Sequence, residues 1–146
     1  MKIISIINQK GGVGKTTTVI NLASALSQQE KKILVIDLDP QGNATTGLGL
    51  SNMDNSDETI YGILNGTKNI SDVIKKTKFK NLDLITSNVD LSGLEVETAG
   101  DSDRAFILKT KLTSYLNDSR GYYDYILIDC PPSLSLLTVM ALVSSN

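Results

Sequence analysis

The chain has 146 residues, a formal charge of −2, no histidine and one cysteine, Cys130. This length suits one domain with a sizeable core, and the acidic balance does not by itself suggest a nucleic-acid binder. Histidine-based triads and metal sites are excluded, as are an internal disulfide and an iron–sulfur cluster held by one chain.

In chain order, residues 2–7 read as a strand that is apolar on both faces, as inside a parallel sheet. A helix is predicted over 16–29, with Val19, Leu22, Ala23 and Leu26 on one stripe. Ile33 to Ile36 form a second buried strand ending at Asp37. Residues 37–57, with Asp39-Pro40 and Gly42, Gly47 and Gly49, read as one long polar loop. Short helices are predicted at 59–65 and 70–76, a third strand at 82–85, and helical stretches at 88–98 and 102–117. The second of these stretches is phased by Phe106, Ile107, Lys109, Leu112, Tyr115 and Leu116. A fourth strand, Tyr125 to Ile128, closes on Asp129-Cys130-Pro131-Pro132, and a last helix spans about 134–144. Alternating strands and helices predict an α/β three-layer fold with a mostly parallel sheet, in a single domain over residues 1–146. No apolar run approaches the about 20 residues of a membrane span, and without a targeting segment the expected location is cytoplasmic.

The densest signal is Lys10-Gly11-Gly12-Val13-Gly14-Lys15-Thr16-Thr17, placed between the first strand and the first helix. Backbone N–H groups of such a turn, with the helix N-terminus behind them, form a cradle for phosphates. Lys15 is placed to reach the outer phosphates, and the Thr16 hydroxyl to ligate Mg²⁺. The usual pattern wants a glycine where Gln9 stands, and Lys10 is a second departure. Asp129, at a strand end, suits an acid that holds Mg²⁺. Asp37 and Asp39 flank Leu38 and share one face of extended backbone; turn chemistry is the plain alternative for them. Lys10 has either a further task or none. Lys75, Lys76, Lys78 and Lys80 read as a solvated charge run, Cys130 as a small buried hydrophobe, and Tyr122, Tyr123 and Tyr125 as packing.

Taken together, residues 10–17, Asp37 to Thr45 and Tyr123 to Ser133 resemble the ParA/Soj family of partition ATPases, in the wider group that contains MinD. The resemblance runs through essentially the whole chain and implies a P-loop NTPase fold binding ATP and Mg²⁺. It implies that Lys10 reaches the phosphates of a partner's ATP in an ATP-dependent homodimer. Asp39 would position the attacking water. Thr16 would ligate Mg²⁺, with Asp129 and Asp37 holding it through water. The phosphate contacts would come from Lys10, Gly11, Gly12, Val13, Gly14, Lys15, Thr16 and Thr17. Chromosome or plasmid partition follows by resemblance, with a ParB-like centromere-binding protein and non-specific DNA as partners of a nucleoid-associated full-length protein, and no membrane. Val143 to Asn146 read as a break inside a domain, so a fragment of a longer protein is expected, with an isoleucine-rich sheet edge left open. The alternative function is a nucleotide-binding module without turnover that interferes with full-length partners.

Overall fold

The computed structural model describes residues 1–51, 55–119 and 122–146. Its strands are β1 (Lys2–Ile6), β2 (Ile33–Asp37), β3 (Lys75–Lys76), β4 (Leu82–Ile85) and β5 (Tyr125–Asp129), in the order β1-β5-β2-β4-β3. All neighbours are parallel except β3 on β4. The helices are α1 (Lys15–Gln28), α2 (Asn43–Gly47), α3 (Ile60–Leu64), α4 (Ile70–Val73), α5 (Leu94–Glu97), α6 (Ile107–Ser119) and α7 (Leu136–Ser144).

The strands lack polar alternation because both faces of the sheet are covered. Ile33, Val35, Leu82, Leu84 and Leu127 point to one side, where Val19 and Ala23 of α1 pack. Leu34, Ile36, Ile126 and Ile128 point to the other, against Leu108 and Leu112 of α6 and Met140 and Ala141 of α7. Each such side chain contributes about 1.5–3 kcal/mol by leaving water, and the face covered by α6 and α7 carries the larger of the two cores.

Five expectations need correction. The polar stretch 37–57 contains α2 and a 3-10 turn at Ser56–Glu58; its residues 52–54 lie outside the described ones. The helix expected over 70–76 stops at Val73, because Lys75 and Lys76 extend and pair with Leu84 and Asp83. The stretch 88–98 divides into a 3-10 turn, Val89–Gly93, and α5. Phe106 ends a 3-10 turn and is exposed, while Leu108 takes the buried position ahead of Leu112. At the outer edge of β1, Ile3 is not open: its N–H donates to the Asn146 side chain and its carbonyl accepts from the Asn146 N–H, at 2.9 and 3.1 Å. Among the described residues no helix is long and apolar enough to cross a membrane.

The register decides where the site lies. Ile6 pairs with Asp129, and Asp129 with Asp37, so the C-terminal tips of β1, β5 and β2 stand in one row. Beside this row α3 rests on the Ser56–Glu58 turn at Gly62, where an added Cβ would fall inside the backbone of Asp57. Gly62→Ala is therefore expected to destabilise the fold by about 2–4 kcal/mol in urea unfolding. A change within about 0.5 kcal/mol would show that α3 does not bear on that turn as described.

Candidate phosphate and metal site

Between β1 and α1 the chain turns through Gly12 and Gly14, both in the left-handed region at φ 69° and 93°. A side chain at either position would strain the turn. Gly14 caps α1 without a side-chain hydrogen bond, and the first turn of the helix carries no acid. The helix therefore presents N–H groups and a positive dipole end that the chain does not itself satisfy with an anion. Lys15 is buried and folds back over the loop, its Nζ donating to the Lys10 carbonyl at 3.1 Å.

One helical step further, the Thr16 hydroxyl donates to Asp129 Oδ2 at 2.7 Å. The other oxygen, Asp129 Oδ1, is buried with no hydrogen-bond partner among the described residues. A buried carboxylate oxygen in that state is costly unless a cation or water meets it. Thr16, having spent its proton on the carboxylate, keeps its lone pairs for the same cation. Among the described residues no three of His, Cys, Asp and Glu converge on a metal position. The donor set thus lacks a full protein cage and suits Mg²⁺, which takes one or two protein oxygens and completes its shell with phosphates and water.

Loop residues Gly11 to Thr17, with Asp39, Asn43 and Pro132, line one cavity of about 430 Å³. Asp39 is brought there by the turn after β2, where its Oδ1 accepts from the Gln41 N–H at 3.0 Å. Asp37 is not among the lining residues. Its carboxylate accepts from the Thr45 N–H (2.8 Å), the Thr45 hydroxyl (2.7 Å) and the Asp39 N–H (3.2 Å). The same Thr45 hydroxyl accepts from the Ser87 N–H at 3.0 Å, which ties α2 to the end of β4. Lys10 is exposed and does not line the cavity. Sequence reasoning missed Asn43, Pro132 and Thr45. The signal available for Pro132 was its place just after the strand-end acid, and for Asn43 and Thr45 their place in a loop rich in helix starters.

Burial pushes the Asp129 carboxyl up to about 6, against the Thr16 hydroxyl, which stabilises its charged form. Burial pushes Asp37 up to about 7, against the donors from Thr45. Burial likewise pushes the Cys130 thiol up to about 12, so it is an inert packing group at this edge.

A family model described as an AAA domain matches residues 1–146. The chain is 47% identical over 145 residues to the sporulation initiation inhibitor protein Soj of Bacillus subtilis, covering 99% of this chain and 55% of that protein. It is 43% identical over 146 residues to the chromosome partitioning protein ParA of Caulobacter vibrioides, covering 100% of this chain and 54% of that one. It also superposes with a TM-score of 0.90, at 35% identity, on a Mycobacterium smegmatis structure described as cobyrinic acid a,c-diamide synthase with bound ATP analogue and magnesium. That superposition covers 99% of this chain and 57% of the other. The chain belongs to the AAA-domain family, within its Soj/ParA group, and spans about half the length of the curated relatives it matches.

The two raised carboxyls have a consequence for stability. Each binds its proton more tightly in the fold than in the unfolded chain. Their contribution is therefore full below about pH 4 and is lost as pH rises through about 6 for Asp129 and about 7 for Asp37. Asp129→Asn keeps an acceptor for Thr16. In metal-free buffer it is expected to raise the urea midpoint at about pH 7.5 and to flatten its decline from about pH 5. A parallel decline in both proteins would show that Asp129 does not carry this burden.

Proposed function

We propose that this member of the Soj/ParA group binds ATP with Mg²⁺ in the Gly11–Thr17 cradle and hydrolyses it when two copies meet. The observation that carries the reading is the Thr16–Asp129 pair, with its unsatisfied buried oxygen, placed behind a helix N-terminus that lacks an anion. The bound ion would supply charge neutralisation at the outer phosphates.

The chain's own residues then have separate tasks. Main-chain N–H groups of the loop bind the phosphates, and the Lys15 ammonium exchanges the Lys10 carbonyl for a phosphate oxygen. Thr16 would hold the metal ion directly, and Asp129 would hold it through water. Asp39, which lines the same cavity, orients a water for in-line attack, since phosphoryl transfer depends on positioning more than on covalent chemistry. In our reading Asp37 serves the metal through the loop it fixes: its three hydrogen bonds hold the turn that presents Asp39.

Lys10 favours dependence on a second copy. Lys10 is exposed and is not among the residues that line its own chain's cavity, which leaves its ammonium available to a neighbour. Supplied across a dimer, a cation of this kind raises turnover by about 10³–10⁵ in phosphoryl transfer. The monomer would then bind nucleotide and wait. Chromosome or plasmid partition belongs to the same proposal, as do a ParB-type partner, non-specific DNA and a cytoplasmic location. All concern a whole protein of which relatives match this chain along about half their length.

Three substitutions test the assignment by calorimetry and phosphate release at concentrations where dimers form. Lys15→Ala is expected to abolish the ATP binding that depends on Mg²⁺. Lys10→Ala is expected to keep ATP affinity within about threefold while turnover falls by about 10³-fold. Asp39→Ala is expected to hold ATP in a long-lived complex without release of phosphate. Normal turnover by Lys10→Ala would remove the dependence on a second copy.

A further inference from the structure

A second cleft, of about 390 Å³, opens at the opposite end of the sheet, where the chain enters β2, β4 and β5. Its walls carry Lys32, Lys76, Lys78 and Lys80 beside the rings of Phe79 and Tyr122. None of these residues has a task in the nucleotide reading, and the cleft is independent of it.

The wall is built from the core outward. Asp83, only 5% exposed, accepts the Tyr123 hydroxyl at 2.7 Å and the Lys76 ammonium at 2.8 Å on one oxygen. Tyr123 in turn meets Tyr122 edge to face, with ring centroids 4.9 Å apart. Tyr122 is 46% exposed, where the tyrosine cluster was expected to pack. Lys32 Nζ lies 4.4 Å from its ring centroid and Lys76 Nζ 5.9 Å. Lys78 Nζ stands 5.3 Å from the Phe79 centroid. Lys32 and Lys78 are therefore steadied by ring faces, which attract an ammonium without neutralising it.

The acids at this end are accounted for. Asp83 is used by Tyr123 and Lys76, and Asp124 accepts the Lys32 backbone N–H at 2.8 Å. Glu30 pairs with Lys80 at 3.1 Å, both side chains largely exposed, and such a pair is weak enough to yield to a better anion. A chain of net charge −2 thus gathers four ammoniums in one small cleft, with Lys76 and Lys80 paired to carboxylates and Lys32 and Lys78 against rings. The volume lies in the range of about 300–1,000 Å³ typical of small-ligand sites. Point-charge lysines, with no arginine fork among the lining residues, suit the round oxygen shell of phosphate better than the planar carboxylate.

We propose that this cleft binds an oligophosphate, a ligand carrying consecutive phosphates, through Lys32, Lys78 and Lys80. The same charge pattern is offered by a free oligophosphate and by a nucleic-acid backbone, and the test separates them. Calorimetry on the full chain carrying Lys15→Ala, whose phosphate loop cannot answer, is run with inorganic tripolyphosphate and with a single-stranded oligonucleotide at equal phosphate concentration. Tripolyphosphate is expected to bind, and Lys32→Gln with Lys78→Gln to weaken it about tenfold or more. Tyr122→Leu, which removes only the steadying ring, is expected to cost about threefold. Tighter oligonucleotide binding that fails in the same double variant would identify the backbone as the source. No binding of either probe, or binding indifferent to the two lysines, overturns the proposal. In the chain with Lys15 present, the double variant is expected to bind ATP unchanged. Tripolyphosphate binding that fails in the double variant, beside Mg²⁺-dependent ATP binding that survives Lys15→Ala, would overturn the nucleotide reading and leave this one standing.

Discussion

The hydrogen bond from Thr16 to Asp129 joins residues 113 positions apart, and the rest of the site depends on it. It exists because β5 lies between β1 and β2 in register, so that the acid at its tip faces the helix that begins beyond the glycine turn. Shifting β5 by one residue would turn Asp129 to the other face of the sheet. The apolar pattern of β5 prevents that shift, since Leu127 belongs to one core and Ile126 and Ile128 to the other.

Burying two carboxylates at neighbouring tips opposes folding, and the chain limits the cost unevenly. Asp37 is provided for by three donors of its own chain. Asp129 is given one donor and left short on its other oxygen. Groups under-satisfied in this way mark places where a fold accepts a penalty in exchange for readiness toward a ligand. The contrast separates two acids that look alike in the sequence.

The legible parts of the molecule were those written in side-chain pattern. The four longer strands and α1 were readable because doubly covered strands must be continuously apolar, and Val19 and Ala23 repeat at helical spacing. The glycine loop was readable because its dihedrals need glycine. What escaped was held by contacts distant in sequence. α2 has no apolar stripe and no side-chain cap; it stands because Thr45 reaches Asp37 and Ser87. β3 is two lysines long, and only its pairing with Asp83 and Leu84 makes it a strand. Asn43 and Pro132 carry no chemistry of their own that would single them out, and they matter only through the cavity they close.

The order β1-β5-β2-β4-β3 also bears on how the molecule comes into being. The first two strands made by a ribosome cannot pair with each other, because the strand that belongs between them is the last of the five to emerge. Until then β1 has no neighbour, and Thr16 faces no acid. Chain growth at about 5–20 residues per second leaves that gap open for several seconds. Such long-range closure is slow in itself. A nascent chain would therefore pass through a stage with an exposed isoleucine-rich ribbon and no capacity for phosphate, in which a chaperone has a natural substrate.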